Sequence, residues 1–500
     1  MSGLFDGRKI LVMSRIVVIG AGVGGLTAAA LLVKAGYTVT VLEAAAYPGG
    51  CAGTFYHKGF LFDAGATLAG GFDPHGPHTR VAQMLGLEWP VEPVADAAWV
   101  THLPGCSVHQ WVDAGRWRDE YMRLFPFSRA FWQKQQQLAH TAWGIAARDF
   151  PWPPSNLVEA ARLASALRPD VLLSAPYLFH KVRHLFPAGA TPQFKAFIDA
   201  NLLISAQAIS DDADALYGAS VLDLPRRGVM QVRGGMGAVA GALVSWIRAN
   251  GGEVIFRQRV TAIETVRGRA RAVLTAKGLR IEADAFIANL TPWALHSLLG
   301  AASPAALKNE LGRRPDMWGA FVVYASVPAE KIPQVITHHQ VVVDINKPLG
   351  ECNSVFISLS PLNDSTRAPA GMRTATLSTH TRVRDWQALF EQSPSAYEER
   401  KAAYTLRVLE AAGRALPGFQ SAVDLVLPGT PHTYQFYTHR PLGMVGGFPQ
   451  TSLFNARGPQ TGIPNVWLVG DSVFPGQSTA GVTLGAMRVA KSLCQVVPMG

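Results

Sequence analysis

The sequence predicts an α/β protein: a parallel-sheet domain built from discontinuous pieces, with an inserted α+β domain. Three observations carry this. A β-branched strand, a glycine turn and a helix open the chain. Similar α/β units return near the middle and at the very end. The stretch between residues 73 and 224 has a different composition, with seven of the twelve tryptophans falling between Trp89 and Trp152.

The first unit is the clearest. Ile16-Val17-Val18-Ile19 within Arg15–Gly20 reads as a short buried parallel strand. Gly25–Ala35 reads as a helix closed by Gly36, and Tyr37–Glu43 as a second strand. Pro151-Trp152-Pro153-Pro154 breaks the inserted region, and Leu157–Leu185 has helical spacing with Arg162, Arg168, Lys181 and Arg183 among Leu, Val and Phe. From Val229 the pattern returns: a helix at Ala238–Ala249, a strand at Glu253–Arg257, a hairpin of Ala272–Thr275 with Leu279–Glu282, and a short strand at Ala285–Ala288. Phe321–Ser326 and Ser354–Ser358 read as strands and Tyr397–Ala412 as a helix. The last unit is a strand at Val466–Val469, then Gly470-Asp471, then a helix at Val482–Val496. The expected division is 14–72, 225–300 and 455–500 for one domain, with 73–224 and 301–454 for the other.

Composition narrows the class. Five hundred residues suit several domains at roughly 150 each. Apolar residues reach 48% and charged residues only 16%, which excludes a disordered, solvated chain. The net charge of +10 is not gathered into a basic run, so no nucleic-acid partner is expected. It suits either a diffuse positive surface or a face toward anionic lipid. The four cysteines form no CxxC pair, so no metal site is expected and a reduced compartment is. Residues 1–13 lack the apolar core of a secretory signal, and Met13 is a possible start. No run of 18 apolar residues predicts a transmembrane helix.

Gly20-Ala21-Gly22-Val23-Gly24-Gly25 is a GxGxxG between a strand and a helix, and Glu43 ends the next strand 18 residues past Gly25. That context makes it a dinucleotide fingerprint on a Rossmann-like domain. Gly20 permits the tight turn, Gly22 lets backbone approach a pyrophosphate, and Gly25 permits close helix–strand packing. Glu43 can accept from a ribose. Gly235-Met236-Gly237 with Gly241 imitates a second such motif, but a helix start is the better reading.

With Gly49-Gly50, Phe62-Asp63-Ala64-Gly65-Ala66-Thr67, Arg233-Gly234-Gly235-Met236 and Val469-Gly470-Asp471-Ser472, the chain resembles the phytoene desaturase-like branch of the flavin amine oxidase superfamily. That branch holds carotenoid desaturases, carotene isomerases and retinol saturases. Gly65–Gly71, Val445–Gln450 and Asp471–Gln477 look most like carotenoid 3′,4′-desaturases. Cys51 departs from the Arg that many amine oxidases carry after the paired glycines.

The resemblance implies FAD as cofactor. It implies that Gly20, Ala21, Gly22, Gly24 and Gly25 hold the pyrophosphate and Glu43 the adenosine ribose. Gly50, Cys51 and Ala52 line the ribityl–flavin path, and Val260 meets the adenine. Gly470 and Asp471 bind ribityl or phosphate-side oxygens. Gly481 and Val482 open the last helix toward the flavin. His439 and Arg440, with His432 nearby, are the substrate-side candidates, and no catalytic residue is assigned. The implied reaction is desaturation of a carotenoid by hydride transfer to flavin, with redox-neutral carotene isomerisation and retinol-saturase-like reduction as alternatives. A non-catalytic flavin-binding membrane scaffold is the reading from another class. A lipid-soluble polyene substrate, a quinone or oxygen as electron acceptor, and a cytoplasmic, membrane-associated location follow. The Trp-rich, basic region then reads either as core with solvated faces or as an interface lying on lipid.

Overall fold

A computed structural model describes residues 14–497 apart from 95, 149–151, 155, 156, 166, 167 and 315–317. Met13 and Pro151 lie outside the described residues, as does the side chain of Arg162.

Five parallel strands form the first layer, in the order Val466–Leu468, Ala285–Ala288, Arg15–Ile19, Thr38–Leu42, Glu253–Ile255. Arg15–Ile19 is central, and its side chains alternate between two buried faces as strand geometry requires. Ile16 and Val18 face the helices Val23–Lys34, Gly237–Ala249 and Ser478–Val496. Helix Pro77–Leu85 joins them through Val81 and Leu85, although it lies past residue 72. Val17 and Ile19 face helix Pro292–Leu299 and a three-stranded antiparallel sheet of Val260–Val266, Arg269–Thr275 and Arg280–Glu282. The strand Val260–Val266 was not expected, because its polar Thr261 and Glu264 sit among apolar residues on a sheet open to solvent on one side.

The second layer is a seven-stranded sheet in the order Leu425–Gly429, Trp318–Pro328, Met372–Arg382, Ser354–Leu359, His338–Val342, Ala97–Leu103, Cys106–Trp111. All neighbours are antiparallel except His338–Val342 beside Ala97–Leu103. One face packs Phe321, Val341, Ile357 and Leu377 against Trp386, Val408 and Leu409 of helices Val383–Gln392 and Pro394–Ala415. The other face looks toward the parallel-sheet layer.

The tryptophan-rich stretch divides. Trp117 and Trp132 join Tyr121, Phe131, Phe194 and Phe197 in a buried aromatic cluster. The segment expected as one helical run is two short helices, Leu157–Ser165 and Pro169–Ser174, followed by two 3₁₀ turns. It exposes Leu157, Val158, Leu172, Leu173 and Phe179, and Phe179 stacks on the exposed Phe454. No described helix is long and apolar enough to cross a membrane.

Candidate functional site

A cavity of about 1210 Å³ runs between the two layers. It exceeds the roughly 300–1,000 Å³ of an ordinary small-molecule pocket.

One limb lies over the carboxyl ends of the parallel strands, where open α/β sheets bind ligands. Gly20 turns there with φ +96°. A side chain on Gly22 would meet Asn289 Nδ2 at 2.5 Å, and one on Gly25 would meet Gly20 O at 2.4 Å. Gly22 caps helix Val23–Lys34 with no side-chain bond, so the first N–H groups stay open at the positive end of the helix dipole. Gly20, Gly22, Val23 and Gly24 line the cavity.

Two expected pyrophosphate contacts take other roles. The Ala21 N–H donates to Glu43 Oε2 at 2.6 Å, so it is not free for phosphate. Gly25 is packed against the turn and does not line the cavity. Glu43 Oε1 accepts from Ala45 N–H at 2.8 Å. Each carboxylate oxygen keeps a further lone pair for a ribose hydroxyl.

The paired glycines reach the same place. Gly49 N–H donates to Ala21 O at 2.8 Å, and the turn Gly50–Ala52 lines the cavity. Burial pushes the Cys51 thiol up, with Arg440 opposing, so it stays protonated. Val260, Gly470 and Asp471 also line this limb.

At its far end the last helix begins at Ser478, four residues before the expected start. Gly481 N–H is taken by Ser478 Oγ at 3.1 Å, and a side chain there would strike Gly476 O at 1.9 Å. Gly481 is therefore a packing glycine. Ser478, Thr479 and Val482 face the cavity, and Thr479 Oγ1 is a buried hydroxyl without a partner. A ligand atom there would satisfy it.

His439 and Arg440 both fall on this nucleotide side. His439 is close enough to Arg259 for that charge to lower its pKa, after burial. Arg440 Nη2 stands 2.9 Å from Asp471 Oδ2. Both line the cavity. His432 stacks on Phe390 at 3.7 Å and does not line the cavity.

The second glycine motif is filled by protein. Thr54 Oγ1 accepts from Gly237 N–H and Asp63 Oδ1 from Met236 N–H, both at 2.8 Å. Asp63 Oδ2 takes Arg367 Nη2 at 3.0 Å. This helix N-terminus has no room for a phosphate.

The other limb lies on the seven-stranded sheet. Leu68, Trp99, Leu203, Ile204, Val229 and Phe356 are among its walls. The charged lining residues, Glu43, Arg259, Arg440 and Asp471, all belong to the nucleotide limb. Where the limbs meet, Tyr324 and Tyr434 hydroxyls both donate to Ala64 O, and burial pushes both phenols up. Gln207 and His380 also line the cavity, with their Nε2 atoms 3.1 Å apart.

Asn289, Val23, Ser478, Thr479, Gln207 and His380 were missed from sequence. Asn289 had one available signal: it directly follows a strand of the parallel sheet, at a carboxyl end.

The bare glycine cradle, the ribose acceptor and the orphaned Thr479 hydroxyl fit FAD. Fold and site together define a FAD-dependent oxidoreductase. The chain belongs to the family of flavin containing amine oxidoreductases, which it matches over residues 23–494. It is 27% identical to the chloroplastic prolycopene isomerase of Daucus carota, over 95% of this chain and 79% of that protein. It is 24% identical to the neurosporene-forming phytoene desaturase of Cereibacter sphaeroides, over 97% and 95%. An oxidoreductase structure from Methanosarcina mazei shares the fold, with TM-score 0.62 and 19% identity over 95% of this chain and all of that one. These relatives place the chain in the carotenoid desaturase and isomerase branch of the superfamily.

Proposed function

We propose that this enzyme acts on a long, lipid-soluble polyene of carotenoid biosynthesis and desaturates it by hydride transfer, at a bond of the 3′,4′ type. The observation that carries the reading is the continuous cavity, which passes from a dinucleotide cradle into a limb without charged walls. Val322, Ser378, Phe356 and Gln340 lie in register across four neighbouring strands and line that limb. Three interstrand steps of about 4.8 Å make this row about 14 Å long, a shape suited to a linear hydrocarbon.

The bound flavin supplies the hydride acceptor. The chain's part is to hold it by Gly22, Val23, Gly24, Glu43 and Asp471, and to exclude water from an apolar slot. A quinone or oxygen takes the electrons afterwards. The exposed Leu157, Val158, Leu172, Leu173 and Phe179 support docking on a lipid surface, where such a substrate is dissolved.

Redox-neutral cis–trans isomerisation is the second reading. The prolycopene isomerase relatives favour it.

Anaerobic mixing of holoprotein with acyclic and monocyclic carotenes in liposomes separates the two. Desaturation bleaches the flavin and yields a product two hydrogens lighter. A product of unchanged mass, formed only after prior flavin reduction, would replace that reading with isomerisation.

A further inference from the structure

Gln207 and His380 stand against each other in the wall of the cavity. His380 lies on the cavity face of strand Met372–Arg382, opposite Ala320. Gln207 follows helix Pro192–Ala206 with a left-handed φ of 55°, a conformation that costs about 1 kcal/mol or more for a side chain of this kind. The surroundings hold it there. Trp318 Nε1 donates to Gln207 O at 3.1 Å. Gly446 leaves room for the amide, since a side chain there would meet Gln207 Nε2 at 2.6 Å. The adjoining Gly447 packs on Asp471, where a side chain would meet the backbone carbonyl at 2.1 Å. One glycine pair thus joins Gln207 to the flavin side of the site.

Gln207 Nε2 and His380 Nε2 are 3.1 Å apart. Gln207 Oε1 is buried with no partner. No described residue hydrogen-bonds His380 Nδ1. Burial alone lowers the imidazole pKa to about 4, so it is neutral near pH 7. A primary amide can present either end to Nε2. With its NH₂ toward Nε2, the imidazole carries its proton on Nδ1. With its carbonyl toward Nε2, the proton sits on Nε2 and Nδ1 offers a lone pair. The same carbonyl can accept from Nε2–H of an imidazolium. The orphaned Oε1 acquires a partner in both of these states, and has none while the NH₂ faces Nε2.

We propose that His380 exchanges a proton with the polyene at Nδ1 and that Gln207 is its positioning residue. This rests on the polyene reading above. In desaturation one C–H leaves as hydride to the flavin-class oxidant. The neighbouring C–H gives its proton to Nδ1, and the electron pair of that bond becomes the second bond of the new C=C. Electrons and hydrogens balance, and no water is required in the slot.

The test uses FAD-loaded protein with a carotene in liposomes made up in D₂O. Variants are His380→Phe, His380→Ala and Gln207→Leu. Flavin content and polyene affinity, read by quenching of tryptophan fluorescence, should stay within about twofold of wild type. Solvent deuterium enters the recovered polyene when the proton on Nδ1 exchanges with D₂O and is returned to carbon, and it should fall on the order of 100-fold in both His380 variants, the scale of general acid–base catalysis. It should fall about tenfold in Gln207→Leu, and imidazole should restore part of it in His380→Ala. Wild-type deuterium incorporation and flavin bleaching by His380→Phe would overturn the assignment and leave the polyene reading intact. Loss in His380→Ala that imidazole does not restore would overturn it also. A wild-type protein that binds no polyene would overturn both.

Discussion

Arg440 Nη2 lies 2.9 Å from Asp471 Oδ2, and Arg440 Nε donates to Met444 O at 2.6 Å. The guanidinium therefore ties the segment after helix Pro431–Thr438 to the turn that follows the edge strand of the parallel sheet. Both side chains are mostly buried, at 16% and 18% exposure. Removing one partner leaves the other charge poorly compensated. Arg440→Met should cost about 2 kcal/mol in apoprotein stability and weaken FAD binding about 100-fold, because Asp471 would then face the cofactor's phosphates unneutralised. Arg440→Met with Asp471→Asn should recover much of both losses. Urea unfolding and FAD titration by flavin fluorescence measure the four corners. Strictly additive losses would show that the pair is not coupled.

The glycine turn makes two distinguishable failures. Gly22→Ala points its methyl at Asn289 Nδ2, the end of a side chain, whereas Gly25→Ala drives into the backbone carbonyl of Gly20. Both should lower FAD affinity at least 100-fold. Asn289→Ala should restore about tenfold to Gly22→Ala and nothing to Gly25→Ala. Equilibrium dialysis of FAD reads this directly. Equal restoration of both would mean that Asn289 does not set the floor of the cradle.

The opening βαβ unit was legible because each part agrees: β-branched strand residues, a glycine turn, and an acceptor at the end of the next strand. Local pattern and tertiary role coincide there. The start of the last helix was not, since Gln477-Ser478-Thr479 carries little apolar periodicity and is held by contacts such as Gln477 Nε2 donating to Phe448 O and Gly481 packing on Gly476 O. His439 and Arg440 read as substrate-side candidates because they lie in the last segment of the inserted domain. Their charged neighbours, Arg259 and Asp471, come from other segments of the chain. His380 and Gln207 are separated by 173 positions, and only the registry of the large sheet under its helical cover brings them together. Asp63 shows the same limit in a structural role. Its motif was visible, yet its grip on Met236 N–H and Arg367 comes from the tertiary fold.

Filling the apolar limb should separate the two halves of the cavity. Ile204 lines it from helix Pro192–Ala206 and is only partly buried by protein. Ile204→Trp adds a ring where a polyene would lie. Polyene affinity should fall at least tenfold, while FAD affinity changes less than twofold. A carotene titration followed by the shift of its absorption band measures the first, and flavin fluorescence the second. Unchanged carotene affinity would place the hydrocarbon elsewhere.

Acid should destabilise the fold below pH 6.5. Burial lowers the pKa values of His78, His102, His338, His339 and His380 to about 3, 4, 4, 3 and 4. The unfolded chain binds protons on these residues near 6.5, so it takes up more protons than the native state as pH falls from there toward 4. Each contributes a loss of about 1.4 kcal/mol per pH unit across that window. Asp214 acts in the opposite direction. Burial raises its pKa to about 6, so below that pH the native state binds a proton that the unfolded chain does not. The net slope is that of about four protons, five from the histidines less one from Asp214, and it vanishes above pH 7. His78 offers the cleanest variant. Its ring nitrogens have no hydrogen-bond partner, and the ring stacks on Phe72 at 4.3 Å and meets Trp89 edge-on. His78→Phe keeps the aromatic contacts and removes one titrating group. Urea midpoints measured from pH 8 to 4.5 should be flat above 7 for both proteins and fall less steeply for His78→Phe below 6. The difference in slope should be about 1.4 kcal/mol per pH unit. Parallel curves would mean that His78 is protonated inside the native protein, and a buried acceptor would then have to be sought beside it.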